Sequence, residues 1–342
     1  MMRPLLLTAF ALLLSAQLLH AQKNLEVGVS TGYVHYYGDL GNWDGPMQWN
    51  SARPGMAITF RNFLNNPKRY VTRALDWEMR MSWHRLGYDE TEPTGGKSGT
   101  ELHNFKRGLN FRNDLFGLSS HLVLNAYREP YQPLFQQRFF MYFFVGVGVF
   151  YGRPKADLFN GAQGMENAYY YWEDGSIRDM PEDSPNAGAA HVIEHDGTYE
   201  TDLYSWHTEG GWGAEGTSQQ KTTPWHIGFP WGFGVRYMLT KQLSVGAEFA
   251  YYSFITDKLD DVSDRYATYD EIDAAFPNDT INQELARYVS DPTGWGTIGY
   301  VDERTSPRGN PGLPDYYSYL SFEVSWKLDR SGGRRLMVNR SK

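Results

Sequence analysis

The sequence predicts an all-β chain: an eight-stranded antiparallel transmembrane β-barrel with two long outer loops, one of them carrying short helices. Three observations carry this. Aromatic residues make up 16% of the 342 residues and there are 35 glycines, yet charged residues reach 21% and the mean hydropathy is -0.55. A polar average with many aromatics and glycines suits a wall with lipid on one side and a polar lumen on the other. Apolar and polar residues also alternate with period two in one segment after another, as in strands whose two faces meet different surroundings. There are no cysteines, so stability is expected without disulfides or thiolate metal sites.

Residues 1–21 read as a secretory signal peptide. Arg3 precedes the apolar run Leu5–Leu19, and Ala21 ends a cleavage-like LHA; the run is short for a membrane-spanning helix. The barrel is assigned to 22–328 and a basic C-terminal tail to 329–342, where Arg330, Arg334, Arg335, Arg340 and Lys342 cluster. The formal net charge of -8 argues against a nucleic-acid binder.

The strands follow in order. Leu25–Tyr37 and Pro54–Phe63 open the barrel. Leu75–His84 sets Leu75, Trp77, Met79, Met81 and Trp83 against Asp76, Glu78, Arg80, Ser82 and His84. Leu115–Asn125, the least regular, and Phe139–Tyr151 come next. In Ile227–Tyr237 the face Ile227, Phe229, Trp231, Phe233, Val235, Tyr237 opposes Gly228, Pro230, Gly232, Gly234, Arg236. Leu243–Ile255 and Tyr319–Leu328 complete the set. Charges at alternate positions are intolerable in lipid and must point inward. The expected lumen set is Glu26, Arg61, Asp76, Glu78, Arg80, His84, His121, Arg138, Arg236, Glu248, Glu323 and Lys327. Its mixed signs read as a plugging salt-bridge network rather than an ion path, since eight strands enclose a space that side chains fill.

Loop lengths suggest the orientation. Short connections around Asn65-Asn66-Pro67, Glu129-Pro130 and Leu239-Thr240-Lys241-Gln242 read as periplasmic turns, which places both termini in the periplasm. The long connections, roughly 152–224 and 256–315, are outer loops of functional length. Thr268 with Glu271 has capping-box spacing ahead of Ile272–Phe276. Asp279 or Thr280 suits the cap of Ile281–Val289, whose Ile281, Leu285, Tyr288 and Val289 share one face. The rest of the same loop, or else another protein, is expected to cover that face.

Three patterns invite chemistry. His191-Val-Ile-Glu-His195 has the H-x-x-E-H order of a zinc protease, but its flanks do not favour a helix. In Ser119-Ser120-His121, Ser120 faces away from His121, and Ser119 sits about 7 Å along the strand, too far for direct proton transfer. No carboxylate partner for His121 is identifiable in the sequence. The acidic stretch "FITDKLDDVSDRY" (254–266) invites calcium, yet it lacks the alternating spacing of a standard loop, and Lys258 and Arg265 supply counter-charge. A solvated acidic rim or a structural loop clasp is the better reading. No catalytic residue, metal site or cofactor is expected.

Four segments go further: "TEGGWGAEGT" (208–217), "IGFPWGFGVRYML" (227–239), "LSVGAEFAYYSFITDKLDDVS" (243–263) and "RGNPGLPDYYSYLSFEVSWKL" (308–328), together with "GVGVFYGRPKA" (146–156). In this order they resemble the PorG-like family of outer-membrane proteins, associated with the type IX secretion system of Bacteroidota. The resemblance implies a non-enzymatic integral outer-membrane barrel. Its partners would be a periplasmic ring lipoprotein and associated secretion-system subunits (PorK- and PorN-like), with outer-membrane lipid around it. Thr208, Glu209 and Gly210, and Thr256, Asp257, Leu259, Asp260, Asp261 and Val262, match the family's motif positions and are expected to order loops or make contacts. In this reading Asp257, Asp260 and Asp261 accept backbone N–H and Arg bonds and fix one long loop against the other. The alternatives are a stand-alone small barrel with binding or adhesive loops, and an outer-membrane lipid hydrolase.

Overall fold

The structure, a computed structural model, describes residues 25–41, 51–63, 74–90, 105–126, 138–209, 222–240, 242–296, 307–312 and 314–328. The expected signal peptide, the basic tail, Gly210 and the turns around Asn65-Asn66-Pro67 and Glu129-Pro130 lie outside the described residues.

Eight long strands form the barrel: β1 (Leu25–Tyr37), β2 (Arg53–Phe63), β3 (Leu75–Asp89), β4 (Asn110–Asn125), β5 (Phe139–Tyr151), β6 (Trp225–Met238), β7 (Leu243–Phe254) and β8 (Tyr316–Leu328). Each pairs antiparallel with its neighbour in sequence. Pairing of β1 with β8, from Leu25 opposite Leu328 to Tyr37 opposite Tyr316, closes the sheet. Closure satisfies every strand's backbone groups within the wall, which a lipid-facing sheet requires. Pro230 has no N–H to give; the β5–β6 ladder is broken at Phe229 and Pro230, while the β6–β7 ladder runs through them.

The period-two pattern holds as burial. Along β5, Phe139, Met141, Phe143, Val145, Val147 and Val149 are exposed, while Tyr142, Phe144 and Phe150 are buried. The outward residues of β6 and β8, among them Trp231, Phe233 and Trp326, continue the apolar band. Such a band is far larger than a protein in water exposes, so this wall faces lipid. No helix among the described residues is long and apolar enough to cross a membrane. Inward glycines leave room for the interior: a Cβ on Gly146 would stand 2.2 Å from the His121 ring.

Two differences from the expected strands have a cause. β3 runs past His84 to Asp89, and β4 begins at Asn110 rather than Leu115. There Leu86, Phe111 and Asn113 are all buried, because loops cover the projecting hairpin and abolish the alternation that marks a half-buried strand. Arg138, expected in the lumen, is exposed just before β5 begins, and Lys327 is only half-buried near the end of β8. Both sit where the wall ends, so they reach solvent.

The two long loops fold into a cap over the end of the barrel where β3 and β4 project. Lys155 pairs with Arg112 of β4, and Lys155–Ala156 pairs with Thr201–Asp202, so the wall continues into the cap. The first loop also holds α1 (Leu203–Trp206), and the second holds α2 (Tyr269–Ala275) and α3 (Thr280–Ser290). Thr268 accepts the Glu271 N–H and Asp279 the Asn282 N–H, each at 3.2 Å, as their cap positions predict. On α3, Leu285, Tyr288 and Val289 are buried as expected, but Ile281 is 71% exposed. The first turn of α3 extends beyond what it packs on. Both long loops cover this face: Leu259 and Val262 of the same loop share its core, and the Tyr288 hydroxyl lies 2.8 and 2.9 Å from the Leu158 and Tyr169 carbonyls of the other. One apolar core runs from Leu158, Phe159 and Val289 in the cap to Phe150, Tyr252 and Tyr317 in the upper lumen.

Candidate functional site

Two layers occupy the barrel's axis. The lower is ionic. The fully buried Arg61 forms an ion pair with Glu26 and further pairs with Glu78 (2.7 Å) and Glu323 (3.2 Å). Arg80 bridges Glu78 (2.8 Å) and Glu248 (2.6 Å), and its guanidinium lies 5.1 Å from the Phe144 ring centre. Arg236 approaches Glu323 at 3.6 Å and stacks 4.7 Å from the Tyr142 ring. Tyr142 donates to Glu248 at 2.9 Å, Thr59 to Glu323 at 3.1 Å, and Asn125 to Asp76 at 2.7 Å. Buried charges persist only when paired in this way. The upper layer is aromatic: His84 bonds the Tyr317 hydroxyl at 2.8 Å, and Tyr317 stacks on Tyr252 at 4.6 Å.

Above the aromatic layer lies a clasp between the two long loops. Glu209, from the first, is its hub. It takes the Lys258 ammonium at 2.6 Å, the Ser263 and Asp264 backbone N–H at 2.7 and 3.1 Å, and the Arg308 guanidinium at 3.5 Å. Thr208 donates its hydroxyl to Asp261 at 2.6 Å, and its carbonyl accepts the Ser290 hydroxyl. Asp261 holds a left-handed backbone, φ 68, which Asp tolerates better than most residues; its carbonyl accepts Arg308. Asp260 accepts the Val262 N–H at 2.8 Å and the Tyr36 hydroxyl of β1. Tyr36 also stands 3.4 Å from Asp315, which accepts the Leu259 N–H at 2.8 Å. Leu259 and Val262 are fully buried and anchor the segment apolarly.

Asp260 accepts a backbone N–H as expected, while Glu209 rather than Asp257 takes the Ser263 and Asp264 N–H and the two cations. Both oxygens of half-buried Asp257 lack a well-formed hydrogen bond, with the Ser263 hydroxyl alongside. Thr256 is half-buried at the exit of β7. Burial pushes the Asp257 carboxyl up to about 7, reinforced by Asp39, and the Asp260 carboxyl up to about 8, with Asp39 and Asp257 adding to it. Asp315 is raised well above the usual range by burial and by Asp260. Arg107 ties this region to the barrel rim: it pairs with Glu90 and donates to the Asp39 and Arg308 carbonyls at 2.8 and 3.1 Å.

The suspected catalytic patterns resolve into other contacts. His191 is exposed and 3.2 Å from Asp179, while His195 stacks on Tyr169 at 4.6 Å; 191–195 is not helical. His121 does have a carboxylate partner, Glu78 at 3.1 Å. Strand pairing sets Glu78 directly across from His121, a register invisible in either strand alone. The Ser119 hydroxyl has no hydrogen-bond partner among the described residues, so no serine–histidine bond completes a catalytic pair.

The double substitution Asp260→Ala with Asp261→Ala is expected to speed proteolytic cleavage of the long loops several-fold while the barrel stays folded. Limited proteolysis beside heat-dependent gel migration reads both, and unchanged cleavage would count against the clasp.

No known protein family and no curated protein matches the chain. Among solved structures it is similar to the Neisserial surface protein A (9% identity, TM-score 0.34, covering 89% of this chain and 96% of that one). It is also similar to Ail, the attachment invasion locus protein of Yersinia pestis (8%, TM-score 0.31, 89% and 99%). A third is a major outer membrane protein from Thermus thermophilus (9%, TM-score 0.35, 89% and 98%). Likeness at this level carries no information about function.

Proposed function

We propose that this chain is a non-enzymatic, integral outer-membrane barrel with both termini periplasmic, serving as the membrane component of a type IX secretion machine. In this role it docks a periplasmic ring lipoprotein and its associated subunit. One observation carries the non-transport part of this reading: among the described residues, buried ion pairs span the lumen and stacked tyrosines lie above them. A barrel whose lumen is occupied by its own side chains is expected to act through its ends. The resemblance of residues 146–156, 208–217, 227–239, 243–263 and 308–328 to PorG-like proteins supports the choice of partner.

The test is cross-linking in outer membranes, mild extraction, and mass spectrometry of what accompanies the protein. Ring lipoproteins linked through the short turns or the 329–342 tail are the expected result. A clean monomer, or cross-links confined to the outer cap, would overturn the docking role. Planar-bilayer recording is expected to show no stable conductance.

A second reading has its own observation. The long loops are folded into a cap whose core continues into the upper lumen, and such a cap can present a binding surface. If cross-links map to the cap, the chain is instead a stand-alone barrel with binding or adhesive loops.

A further inference from the structure

The first long loop holds a carboxylate group apart from the clasp. Asp157, beside the short strand at Lys155–Ala156, meets Asp196 and Glu200, and one oxygen from each lies within 4.8 Å of the others. Asp157 is only 1% exposed, and its Oδ1 is buried without a hydrogen-bond partner. Its Oδ2 takes the Gly197 N–H at 2.6 Å, which holds the carboxylate in place. Asp196 accepts the Gly161 N–H at 2.9 Å and the Thr198 N–H and hydroxyl at 2.8 and 2.7 Å. Glu200 accepts the Leu158 N–H at 3.1 Å and the Thr201 hydroxyl at 2.7 Å, with the Thr198 hydroxyl 3.2 Å away.

A buried carboxylate oxygen with no donor is costly, and here two more carboxylates crowd it. Burial pushes Asp157 up to about 7, and Glu200, Asp196 and Asp89 push in the same direction. A hard cation bound among the three would relieve both problems. Ca²⁺ takes oxygens at about 2.3–2.6 Å, so ligands on opposite sides stand about 5 Å apart. Three oxygens within 4.8 Å of one another can draw in to share one such ion. Mg²⁺, at about 2.0–2.1 Å, demands near-ideal octahedral geometry and dehydrates reluctantly, so a flexible carboxylate cluster favours Ca²⁺. Asp196 is exposed and Glu200 half-buried, so an ion has a route in.

We propose that Asp157, Asp196 and Glu200 form a calcium site that fixes the base of the first long loop to the barrel. Asn110 of β4 carries the connection: its amide exchanges hydrogen bonds with the Asp157 backbone at 2.9 and 2.7 Å. Calcium held at Asp157 is thereby held to the wall.

The test uses the full mature chain in detergent, stripped with EDTA and titrated calorimetrically with Ca²⁺ and then with Mg²⁺. One Ca²⁺ per chain is expected, at a Kd of about 0.1–1 mM as in extracellular calcium modules, with Mg²⁺ weaker by about tenfold or more. Added Ca²⁺ should slow proteolysis of the first loop. Asp157→Asn and Glu200→Gln should each weaken Ca²⁺ binding by about tenfold or more. In EDTA, Asp157→Asn should digest no faster than wild type, because it removes the repulsion as well as a ligand. Heat-dependent gel migration shows that the barrel has formed, and Glu200→Gln, on a half-buried side chain, serves if Asp157→Asn does not fold. No saturable binding below about 10 mM Ca²⁺, or binding unchanged in both variants, overturns the site. Binding lost in Asp260→Asn but kept in Asp157→Asn moves the ion to the clasp and overturns it equally.

Discussion

Replacing Arg61 with Met is expected to lower the barrel's unfolding free energy by about 3–5 kcal/mol. Arg61 is fully buried and pairs with Glu26, Glu78 and Glu323, which come from three different strands. Met keeps much of the volume but leaves these carboxylates facing one another. Arg80 and Arg236 remain, yet Arg236 is already 3.6 Å from Glu323 and 3.9 Å from Glu26. Glu78 keeps its 2.8 Å pair with Arg80 but loses its second cation at 2.7 Å, and Glu26 loses its only close one. Arg61→Lys should recover only part of the loss, since a single ammonium cannot serve three acceptors with the geometry of a guanidinium fork. Urea unfolding in lipid vesicles, followed by tryptophan fluorescence, measures both variants. A loss below about 1 kcal/mol would mean that water or protonation compensates the carboxylates, and that the network does little to hold the wall.

The second large effect is expected in the cap as pH rises. Asp260 has its carboxyl pushed from 3.8 up to about 8 by burial, with Asp39 and Asp257 adding to it. Asp315 moves the same way. An acid raised in the fold keeps a proton that the opened loop releases. Between about pH 4 and pH 8 the closed cap therefore binds more protons than the open one, so its stability falls as pH rises through that window and levels off above it. The groups around Asp260 are the acids Asp39, Asp257 and Asp315, the Tyr36 hydroxyl, and the cations Lys258, Arg107 and Arg308. Asp257 and Asp260 lose their protons within this window, so the acids set the sign. Digesting wild type and Asp260→Asn side by side at pH 6 and pH 9 cancels the protease's own pH response. The wild-type cap should become several-fold more susceptible relative to the variant at the higher pH. A constant ratio would show that the clasp does not respond to this carboxyl.

Both effects rest on residues whose visibility in the sequence differed. Arg61, Glu78, Arg80 and Glu248 were assigned inward because a charge at alternate positions of an apolar strand has nowhere else to go. Their pairings were not assignable. Whether Glu78 meets His121, Arg61 or Arg80 depends on the registers of β2, β3 and β4 against one another, and a strand's own sequence leaves register open wherever the facing residues permit it. The missed carboxylate partner of His121 is the direct consequence.

In the loops, the helices were legible from Thr268, Glu271 and Asp279, because capping is a contact between residues two or three apart. Glu209 as the hub was not. A lone acid in a glycine-rich stretch has no periodicity, and its cationic partners lie 49 and 99 positions away. The same holds for the exposure of Ile281 and for the cover of α3, which both depend on where the other loop lies. The Asp157, Asp196 and Glu200 group is likewise scattered over the first loop and acquires meaning only when folding brings the three oxygens together.

The sequence by itself determined the eight strands short of the β3–β4 extension, the two faces of the wall, the helix caps and the inward charges other than Arg138 and Lys327. Each follows from contacts within a few residues or from the contrast between lipid and lumen. Only the tertiary structure decided which charge meets which, that the loops close on each other through Glu209, and that Asp157 is buried beside two like charges. Those outcomes are set by closure of β1 onto β8 and by packing between segments remote along the chain, which no local pattern records.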